Sequence, residues 1–227
     1  MAALKHIAFI MDGNRRWADR HRHHRVRGHK EGILAIERVI AGCISNSIPY
    51  VTFYAFSKEN WDRDPYEIRY LLRLMRFFLV RIEAGLASRL FHRTKVRFVG
   101  ELGDFPAEIQ RLMGRMEQRD LPEVACTAVV AVSYSGRNEI ISAAAAAVQA
   151  GEPLTSAALG NRLQTAGIPD PDMIVRTSGV KRLSNFLPWQ SIYSELLFLE
   201  KLWPDVVEAD VVAVVEEYRT RERRFGR

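Results

Sequence analysis

The sequence is poor in cysteine. Cys43 and Cys126 are its only two cysteines, and each lies alone within an apolar segment without a CxxC partner. This pattern gives no signal of a structural zinc site or a disulfide framework, and it suits thiols buried in a protein from a reducing compartment. We therefore expect a cytoplasmic protein in which both cysteines are core residues.

The chain also lacks an export signal and a long hydrophobic run. Its first residues, MAALKHIAFIMDGN, have neither the basic start nor the small-residue cleavage site of a signal peptide. The longest uncharged stretch, residues 39–57, is interrupted by polar residues 45–47 and by Pro49, so it predicts helix, turn and strand instead of a membrane span. We expect a soluble protein, or at most one peripheral to a membrane.

The familiar phosphate-binding motifs are missing as well. The sequence contains no GxxxxGK(S/T), no GxGxxG and no HExxH, and it has no adjacent aspartates that could begin a DDxxD box. The common nucleotide-binding frameworks are therefore not indicated.

Positive charge is only in modest excess, with 33 basic against 27 acidic residues and a formal net charge of +6. Such an excess favours anionic ligands without selecting a class of them. Residues 20–30 and 216–227 are strongly basic and raise the alternative of a nucleic-acid binder. The first of these segments lacks interleaved aromatic residues that could stack on bases, so we expect no nucleic-acid partner.

Histidines are concentrated in HRHHRVRGHK, residues 21–30. A metal site would need carboxylate or thiolate partners that this segment lacks, so we interpret it as a solvated basic segment that contacts anions. His29 is the exception, because it follows Gly28 and opens a predicted helix whose N-terminus attracts phosphate.

Short apolar runs alternate with segments of helical periodicity. The predicted strands are residues 6–10, 50–56, 95–100, 125–134, 172–177 and 195–200. The predicted helices are residues 29–46, 65–94, 106–118, 137–149, 155–166 and 207–222. The alternation predicts an α/β fold, a single domain over residues 1–227 with a mostly parallel six-stranded sheet flanked by helices on both faces.

One predicted helix is apolar on more than one face. Between Glu67 and Phe91 its apolar residues cover a wider arc than a single core-facing stripe. Burial between two packed layers or at a dimer contact is the simpler explanation, and a ligand tunnel is the alternative.

Polar clusters follow three of the predicted strands. The clusters are MDGNRRW at residues 11–17, SKENWDR at residues 57–63, and RTSG at residues 176–179 followed by Arg182, Ser184 and Asn185. Ligands of open parallel sheets bind beyond the carboxyl ends of the strands, so we expect the three clusters to form one site.

The chemistry of these clusters suits phosphate oxygens, because guanidinium forks, neutral donors and glycine backbone recur in them. The arginines concerned are Arg16, Arg25, Arg176 and Arg182. Together they would overcompensate one phosphate, so the sequence favours one diphosphate or two. Asp12 among them is either a structural ion-pair partner or a carboxylate that holds Mg²⁺ beside diphosphate oxygens, and we favour the second interpretation.

Six motifs together resemble the cis-prenyltransferases, the family of undecaprenyl and dehydrodolichyl diphosphate synthases. They are HIAFIMDGNRRWA, GHKEG, YAFSKENWDR, RTSGVKRLSNFLPWQSIYSEL, LWPD and RERRFGR, and they run in order from His6 to Arg227. The resemblance implies Mg²⁺-dependent condensation of isopentenyl diphosphate with an allylic diphosphate such as farnesyl diphosphate, with a Z double bond formed in each cycle. It also implies a long polyprenyl diphosphate for glycosyl-carrier lipids.

The resemblance assigns roles by position. Asp12 would hold Mg²⁺ and assist departure of the allylic diphosphate. The residues matched to the allylic substrate are Gly13, Asn14, Arg15, Arg16, Trp17, Arg25 and His29. Trp17 would wall the start of an apolar tunnel between sheet and helices, and the long helix would supply another wall. The residues matched to a loop that closes over the substrates are Ser57, Lys58, Glu59, Asn60, Trp61 and Arg63.

Asn60 matches the position often assigned to proton abstraction. An amide is not a base comparable to a carboxylate, so we expect the departing diphosphate to take the proton while Asn60 positions it.

The remaining matches concern the second substrate and a dimer. The residues matched to the isopentenyl diphosphate site are Arg176, Arg182, Leu183 and Ser184. Glu195 matches a second acidic position associated with Mg²⁺. Arg224 to Gly226 match an RxG motif that reaches across a dimer interface, so we expect a homodimer, and we expect peripheral membrane contact for product release.

The sequence departs from the family pattern at a few positions. Val180 and Lys181 stand where a glutamate and a polar residue are usual, Asp64 replaces a common proline, and Ser133 stands where many bacterial members have asparagine. These departures leave product length and allylic substrate open. A short-chain or irregular-coupling member is one alternative, and a non-catalytic partner subunit, which would lack the Asp-Gly-Asn and loop motifs, is another.

Overall fold

The computed structural model describes residues 3–85 and 88–221. Its strands are β1 (His6–Ile10), β2 (Tyr50–Ser57), β3 (Thr94–Val99), β4 (Cys126–Tyr134), β5 (Met173–Arg176) and β6 (Glu195–Phe198). They form one sheet in the order β3-β4-β2-β1-β5-β6, in which every neighbouring pair is parallel. The predicted α/β fold with a six-stranded parallel sheet is confirmed.

The helices are α1 (Asn14–Arg20), α2 (Arg25–Ser45), α3 (Pro65–Glu83), α4 (Ala107–Glu117), α5 (Gly136–Gln149), α6 (Ser156–Gly160) and α7 (Glu208–Thr220). They cover both faces of the sheet, because the central strands carry apolar side chains on both faces. All five residues of β1 are buried: Ile7 and Phe9 join the larger core cluster, whereas Ala8 and Ile10 join a smaller cluster on the other face.

Four helices differ from their predictions, and one of them, α6, ends at Gly160 instead of residue 166. The sequence predicts no helix at α1, because NRRWADR buries only Ala18 and so carries no apolar period. α2 begins at Arg25 instead of residue 29, with the His24 side chain accepting a hydrogen bond from the Val26 N–H. α3 ends at Glu83 instead of residue 94, because Gly85 follows with a φ of +69°, a conformation that ends helices.

The strand order creates a crevice between β1 and β5. The chain leaves β1 toward β2 on one side and leaves β5 toward β6 on the other, so the connections diverge at this point. Ile10 pairs with Arg176 at the carboxyl end of the two strands. A divergence of this kind is where open α/β sheets bind ligands, and it brings the polar clusters after β1 and β5 together.

Among the described residues, no helix combines the length and the apolar character that crossing a membrane requires.

His6 makes the stability of the fold depend on pH. Its ring is buried, with Nδ1 2.6 Å from the Pro169 carbonyl oxygen and Nε2 2.7 Å from Thr52 Oγ1. A carbonyl can only accept, so Nδ1 carries the proton of a neutral ring. Burial lowers the pKa of His6 from 6.5 to about 4, although the Pro169 carbonyl and the Asp172 charge act in the opposite direction.

We expect the free energy of unfolding to decrease as the pH falls from about 6.5 toward 4. The pKa of the folded state lies below that of the unfolded chain, so the unfolded chain binds more protons in this window. The contribution of His6 is fully present above pH 6.5 and is reduced by roughly 2 kcal/mol at about pH 5. Urea titrations at both pH values measure it, and His6→Gln should weaken the dependence; an unchanged dependence would contradict the assignment.

Candidate active site

Backbone hydrogen bonds fix Asp12 at the carboxyl end of β1. Its N–H donates to Thr177 Oγ1 at 2.9 Å, and its carbonyl accepts from the Thr177 hydroxyl at 2.6 Å. The Trp203 N–H donates to the same carbonyl at 3.0 Å. Because the main chain is held from two directions, the carboxylate projects from a fixed point of the crevice.

The Asp12 carboxylate lies between two arginines. Oδ2 accepts from Arg176 Nη2 at 2.9 Å, and Oδ1 accepts from Arg16 Nη2 at 3.4 Å. Burial acts to raise the pKa of Asp12, but the hydrogen bond and charge of Arg176, together with the charge of Arg16, outweigh it and hold this pKa below its ordinary value. Asp12 is therefore ionised at neutral pH, as a metal ligand must be.

Arg176 ties the end of β5 to the loop that follows. Its side chain is only 6% exposed, and Nη1 donates to the Arg182 carbonyl at 2.6 Å and to Ser184 Oγ at 2.9 Å. Its buried Nε finds no partner among the described residues. The guanidinium thus holds Asp12 and this loop in one arrangement, and its Nε–H remains available as a donor.

The loop after β5 has an unusual backbone. Ser178, Ser184, Asn185 and Leu187 all have positive φ, between 47° and 75°. Non-glycine residues in this region are strained, and such strain concentrates at functional sites. Arg176 is one of the contacts that stabilise this conformation.

Two glycines of α2 allow α1 to approach closely. A Cβ at Gly28 would lie 2.0 Å from the Asn14 carbonyl oxygen, and one at Gly32 would lie 2.4 Å from Asn14 Oδ1. The motif GHKEG is therefore the point at which α2 contacts the start of α1. The missing side chains let Asn14 reach the site.

We expect Gly28→Ala to lower the free energy of unfolding by about 3 kcal/mol, at the upper end of the cost of overpacking, because its neighbour is a backbone carbonyl that cannot rotate away. The matched control is Gly114→Ala in α4, where a Cβ meets nothing within 4 Å. Alanine there should add about 0.5 to 1 kcal/mol. Thermal unfolding by circular dichroism compares the two variants; equal melting temperatures would contradict the close approach.

Glu67, in the first turn of α3, contacts three basic side chains. Oε1 accepts from Arg15 Nε at 3.2 Å and from Arg63 Nη1 at 3.1 Å, and it lies 3.6 Å from His29 Nε2. Burial lowers the pKa of His29 to about 4, although Glu67 acts in the opposite direction. His29 is therefore neutral at neutral pH, and its buried Nε2 has no hydrogen-bond partner among the described residues.

A 3₁₀ turn over Lys58–Asp62 closes another side of the site. The Ser57 N–H donates to Asn60 Oδ1 at 3.3 Å, so the Asn60 amide has its NH₂ group to offer a ligand. Asn185 Nδ2 donates to Glu59 Oε1 at 3.2 Å, which joins this turn to the loop after β5.

The outer side of the same turn contacts β4 and the segment at residues 104–105. Lys58 Nζ lies 2.7 Å from Asp104 Oδ2, and Trp61 Nε1 donates to Ser133 Oγ at 2.8 Å. The Trp61 ring also packs on Phe105, with centroids 5.3 Å apart. Lys58 and Trp61 therefore anchor the turn and do not face the cleft between the loops.

These elements enclose a polar cleft of about 720 Å³. The predicted site residues that line it are Asp12, Gly13, Asn14, Arg15, His29, Ser57, Glu59, Asn60, Arg63, Arg176, Arg182 and Ser184. Arg137 joins the four arginines of that set. Asp12 and Glu59 oppose these five within the lining, and Glu67, outside it, pairs with Arg15 and Arg63. The charge balance favours strongly anionic ligands such as diphosphates.

An apolar cavity of about 160 Å³ adjoins the cleft. Both spaces are lined by Met11, Asn14, His29, Ala55, Phe56 and Leu71. Beyond them the cavity continues between the sheet and α3, which contributes Leu74, Met75, Phe78, Leu79 and Ile82. That this cavity is the predicted tunnel and holds a polyprenyl chain stays a prediction.

Some predicted residues lie away from both spaces. Trp17 does not wall the cavity, because its Nε1 donates to Asp205 Oδ1 at 2.6 Å and its ring stacks on His21. Arg25, at the start of α2, is exposed and does not line the cleft. Leu183 packs against the smaller core cluster. His29 lies in the second turn of α2, so the helix N-terminal attraction predicted for it does not apply.

The predicted metal ligands Asp12 and Glu195 are not brought together. Glu195 begins β6 and pairs in register with Met173, at the amino end of the strands, whereas Asp12 follows the carboxyl end of β1. Glu195 Oε2 accepts from Arg221 Nη1 at 2.9 Å. Gly226, with the rest of the RxG motif, lies outside the described residues. Within residues 3–85 and 88–221, no cluster of three or more His, Cys, Asp or Glu side chains could hold a metal.

One carboxylate is nevertheless enough for Mg²⁺ bound together with a diphosphate, since this ion keeps several waters and uses one or two carboxylates plus substrate phosphates. Asp12 is ionised, is 31% exposed and lines the cleft. The donor set therefore fits Mg²⁺ that arrives with substrate, and it does not fit a permanent cage built by this chain's described residues.

The structure also gives roles to residues to which the sequence motifs alone assign none. Thr177 fixes the Asp12 backbone, Glu67 collects the basic side chains, and Tyr54 and Arg137 line the cleft. Arg137 follows the end of β4, so the strand-end rule could have found it. Glu67 carries no signal beyond its spacing of four residues from Arg63.

Known proteins resemble this chain along nearly its whole length. The family profile described as "Putative undecaprenyl diphosphate synthase" matches residues 10–226. The isoprenyl transferase of Rhizobium meliloti (strain 1021) is 40% identical over 228 residues, covering 97% of this chain and 91% of the relative. The ditrans,polycis-undecaprenyl-diphosphate synthase ((2E,6E)-farnesyl-diphosphate specific) of Micrococcus luteus is 37% identical, covering 98% and 91%.

A solved structure gives the same result for the fold. The crystal structure of lavandulyl diphosphate synthase from Lavandula x intermedia in complex with dimethylallyl diphosphate matches with a TM-score of 0.89 at 29% identity, covering 99% of both chains. Because the family match spans nearly the whole sequence and the relatives align along almost all of it, this chain belongs to the cis-prenyltransferase family of the undecaprenyl diphosphate synthase type, a family of prenyl-transferring enzymes.

Proposed function

We propose that this protein condenses isopentenyl diphosphate with an allylic diphosphate such as farnesyl diphosphate and produces a long Z-polyprenyl diphosphate for glycosyl-carrier lipids. The observation that carries the proposal is the arginine-rich cleft that shares Asn14, His29 and Phe56 with an apolar cavity. A diphosphate head and an isoprenoid tail need these two environments side by side. The name of the Micrococcus luteus relative, which specifies farnesyl diphosphate, supports this allylic substrate.

The two ends of the cleft suit two diphosphates. Asn14 and His29 also line the apolar cavity, and Arg15 and Arg63 bond to Glu67 beside His29. These four residues would bind the allylic diphosphate, whose tail enters that cavity. Arg176, Arg182 and Ser184 lie on the loop after β5 and would bind isopentenyl diphosphate. Asp12 contacts Arg176 and belongs to the strand end that also carries Asn14, so it would serve both substrates.

The chemistry follows from the charges. When the allylic C–O bond breaks, negative charge develops on the leaving diphosphate and positive charge on carbon. Arginine donors stabilise the diphosphate, and the apolar wall keeps water from the allylic carbon. Mg²⁺ held by Asp12 and the diphosphate oxygens would neutralise further charge on the leaving group.

Loss of a proton completes the new Z double bond. The C1 carbon of the allylic substrate bonds to C4 of isopentenyl diphosphate, and a proton then leaves C2. With its oxygen engaged by the Ser57 N–H, the Asn60 amide is a donor and not a base. We assign the proton to the departing diphosphate, which the Asn60 NH₂ group would hold in position.

A homodimer is part of the proposal. The edge strand β6 and the segment before it expose apolar side chains, with Ile192 at 74%, Tyr193 at 65% and Leu196 at 37% exposure. Such a patch on a sheet edge favours pairing with another chain. Glu195 lies in this patch, so any metal role would be exercised at an interface. Analytical ultracentrifugation should show a dimer.

An irregular coupling is the second candidate, because the lavandulyl diphosphate synthase structure matches the whole chain. A non-catalytic partner subunit is less well supported, since Asp12 and the residues of the turn after β2 line the cleft. The test is incubation of purified protein with farnesyl diphosphate or dimethylallyl diphosphate, labelled isopentenyl diphosphate and Mg²⁺, with and without chelator.

We expect a chelator-sensitive ladder of long Z-polyprenyl diphosphates from farnesyl diphosphate. A single branched product from dimethylallyl diphosphate would establish the irregular reaction instead. No product from either allylic substrate, with the protein folded, would contradict the proposal and favour the partner subunit.

A further inference from the structure

The helix α3 has two faces with different surroundings. Its inner face lines the apolar cavity through residues such as Leu74 and Phe78. Its outer face carries an exposed stripe at a spacing of three or four residues: Tyr66, Arg69, Arg73, Phe77 and Val80. We call these five residues the outer stripe. Tyr66 is 76% exposed, Phe77 56% and Val80 38%, so the second apolar face seen in the sequence points outward.

The outer stripe is cationic as well as apolar. The Arg69 guanidinium lies over the Tyr66 ring at 4.5 Å, and that of Arg81 lies over the Phe77 ring at 5.6 Å. Neither Arg69 nor Arg73 pairs with a carboxylate of the described residues, and both are exposed. The stripe therefore combines large apolar tips with two positive charges, those of Arg69 and Arg73, that no carboxylate in the described part of the chain neutralises.

The margins of the stripe add little negative charge. Glu83, the last residue of α3, is bound by Arg115, and Glu108 of α4 is bound by Arg76 at 2.7 Å. The local field of the outer face is consequently positive, and it attracts anions that are spread over a surface.

We propose that the outer stripe docks the protein on the surface of a bilayer rich in anionic phospholipid. Arginine with interleaved aromatic and aliphatic residues is the composition of helices that lie in the headgroup region, where aromatic tips reach the acyl boundary. An acidic protein would match the charge but would not require exposed Phe77 and Val80.

The inference rests on the proposed function, because that function gives membrane docking its purpose. The helix that carries the outer stripe is also a wall of the cavity proposed to hold the growing apolar chain, so docking through it brings that cavity next to the lipid into which the product must pass. Docking itself needs no turnover, and it can be measured separately.

The experiment is co-sedimentation of the full-length protein with vesicles of phosphatidylcholine alone or of equal parts phosphatidylcholine and phosphatidylglycerol. We expect binding only to the anionic vesicles and a decline with added salt. The double variant Arg69→Gln/Arg73→Gln should bind roughly 30-fold more weakly, the effect of two arginines near an anionic surface. Phe77→Ser should weaken binding to anionic vesicles as well, because it removes the inserted ring but no charge.

The matched control is Arg162→Gln/Arg219→Gln, which removes two arginines that lie outside α3. Arg162 is paired with Glu152, and Arg219 is paired with Glu216. It should bind like the wild type. Equal binding by the outer-stripe variant and this control, or no preference of the wild type for anionic vesicles, would overturn the proposal.

Turnover in detergent separates the two proposals. The outer-stripe variants should keep wild-type incorporation of isopentenyl diphosphate, because none of the residues lines the cleft or the cavity. Vesicle binding without any product from the wild type would contradict the proposed function and leave the docking surface standing. Product formation without vesicle binding would contradict the docking surface and leave the proposed function standing.

Discussion

Replacing Asp12 with asparagine is expected to lower kcat by roughly 100- to 1,000-fold, the usual cost of removing one preorganised electrostatic group. Asparagine keeps an acceptor for Arg176 Nη2, which lies 2.9 Å from Oδ2, but it removes the negative charge that would hold Mg²⁺. The backbone bonds to Thr177 are untouched, so the fold should persist. Steady-state kinetics with saturating Mg²⁺ measure the effect, and thermal unfolding verifies the fold.

Two further variants sharpen this test. Asp120→Asn removes an exposed carboxylate outside the cleft and should leave kcat unchanged. Asp12→Ala should lose activity and also about 1–3 kcal/mol of stability, because it leaves the buried Arg176 guanidinium without its anionic partner. Wild-type turnover by Asp12→Asn would contradict the proposal that Asp12 holds Mg²⁺ at the leaving diphosphate.

Replacing Arg176 with lysine is expected to lower kcat/KM for isopentenyl diphosphate by roughly 100-fold, although the charge is conserved. The guanidinium makes three bonds in one plane, to Asp12, to the Arg182 carbonyl and to Ser184. An ammonium group cannot reach all three acceptors in that geometry. The loop with positive φ values at Ser184 and Asn185 then loses a contact that stabilises it.

Arg182→Lys is the matched control for this variant. Arg182 is exposed, and its side-chain bond is Nε to Ser184 Oγ at 3.3 Å, so lysine can still approach an anion from solvent. We expect roughly a tenfold rise in KM with kcat little changed. Equal effects of the two substitutions, or a change confined to the allylic substrate, would mean that isopentenyl diphosphate does not bind at this loop.

Much of the fold could be predicted because the strands are locally encoded. HIAFI and CTAVVAVSY are continuous apolar runs, and such runs are typical of strands buried on both faces of a parallel sheet. The helix α1 could not be predicted, since its position depends on Gly28 and Gly32 of the next helix and not on an apolar period of its own. The early end of α3 was likewise set by a single glycine with positive φ.

The sequence identified most of the residues that line the cleft, but it predicted the geometry of the site only in part. Asp12, Arg176 and Ser184 follow strands whose carboxyl ends meet, so the strand-end rule groups them correctly. Trp17 and Glu195 belong to the same motifs, yet Trp17 bonds Asp205 and Glu195 lies at the opposite end of its strand. A motif lists residue types in order, and it does not state which way each side chain turns.

By itself the sequence determined the fold class and the family, and it suggested the proposed diphosphate chemistry, because apolar periodicity, strand-end arginines and ordered motifs are properties of a linear chain. Only the tertiary structure decided that Asp12 is ionised between Arg16 and Arg176, that His29 is neutral beside Glu67, and that Phe77 faces outward. The physical reason is that the charge state and exposure of a group depend on neighbours distant in sequence, which only packing brings into contact.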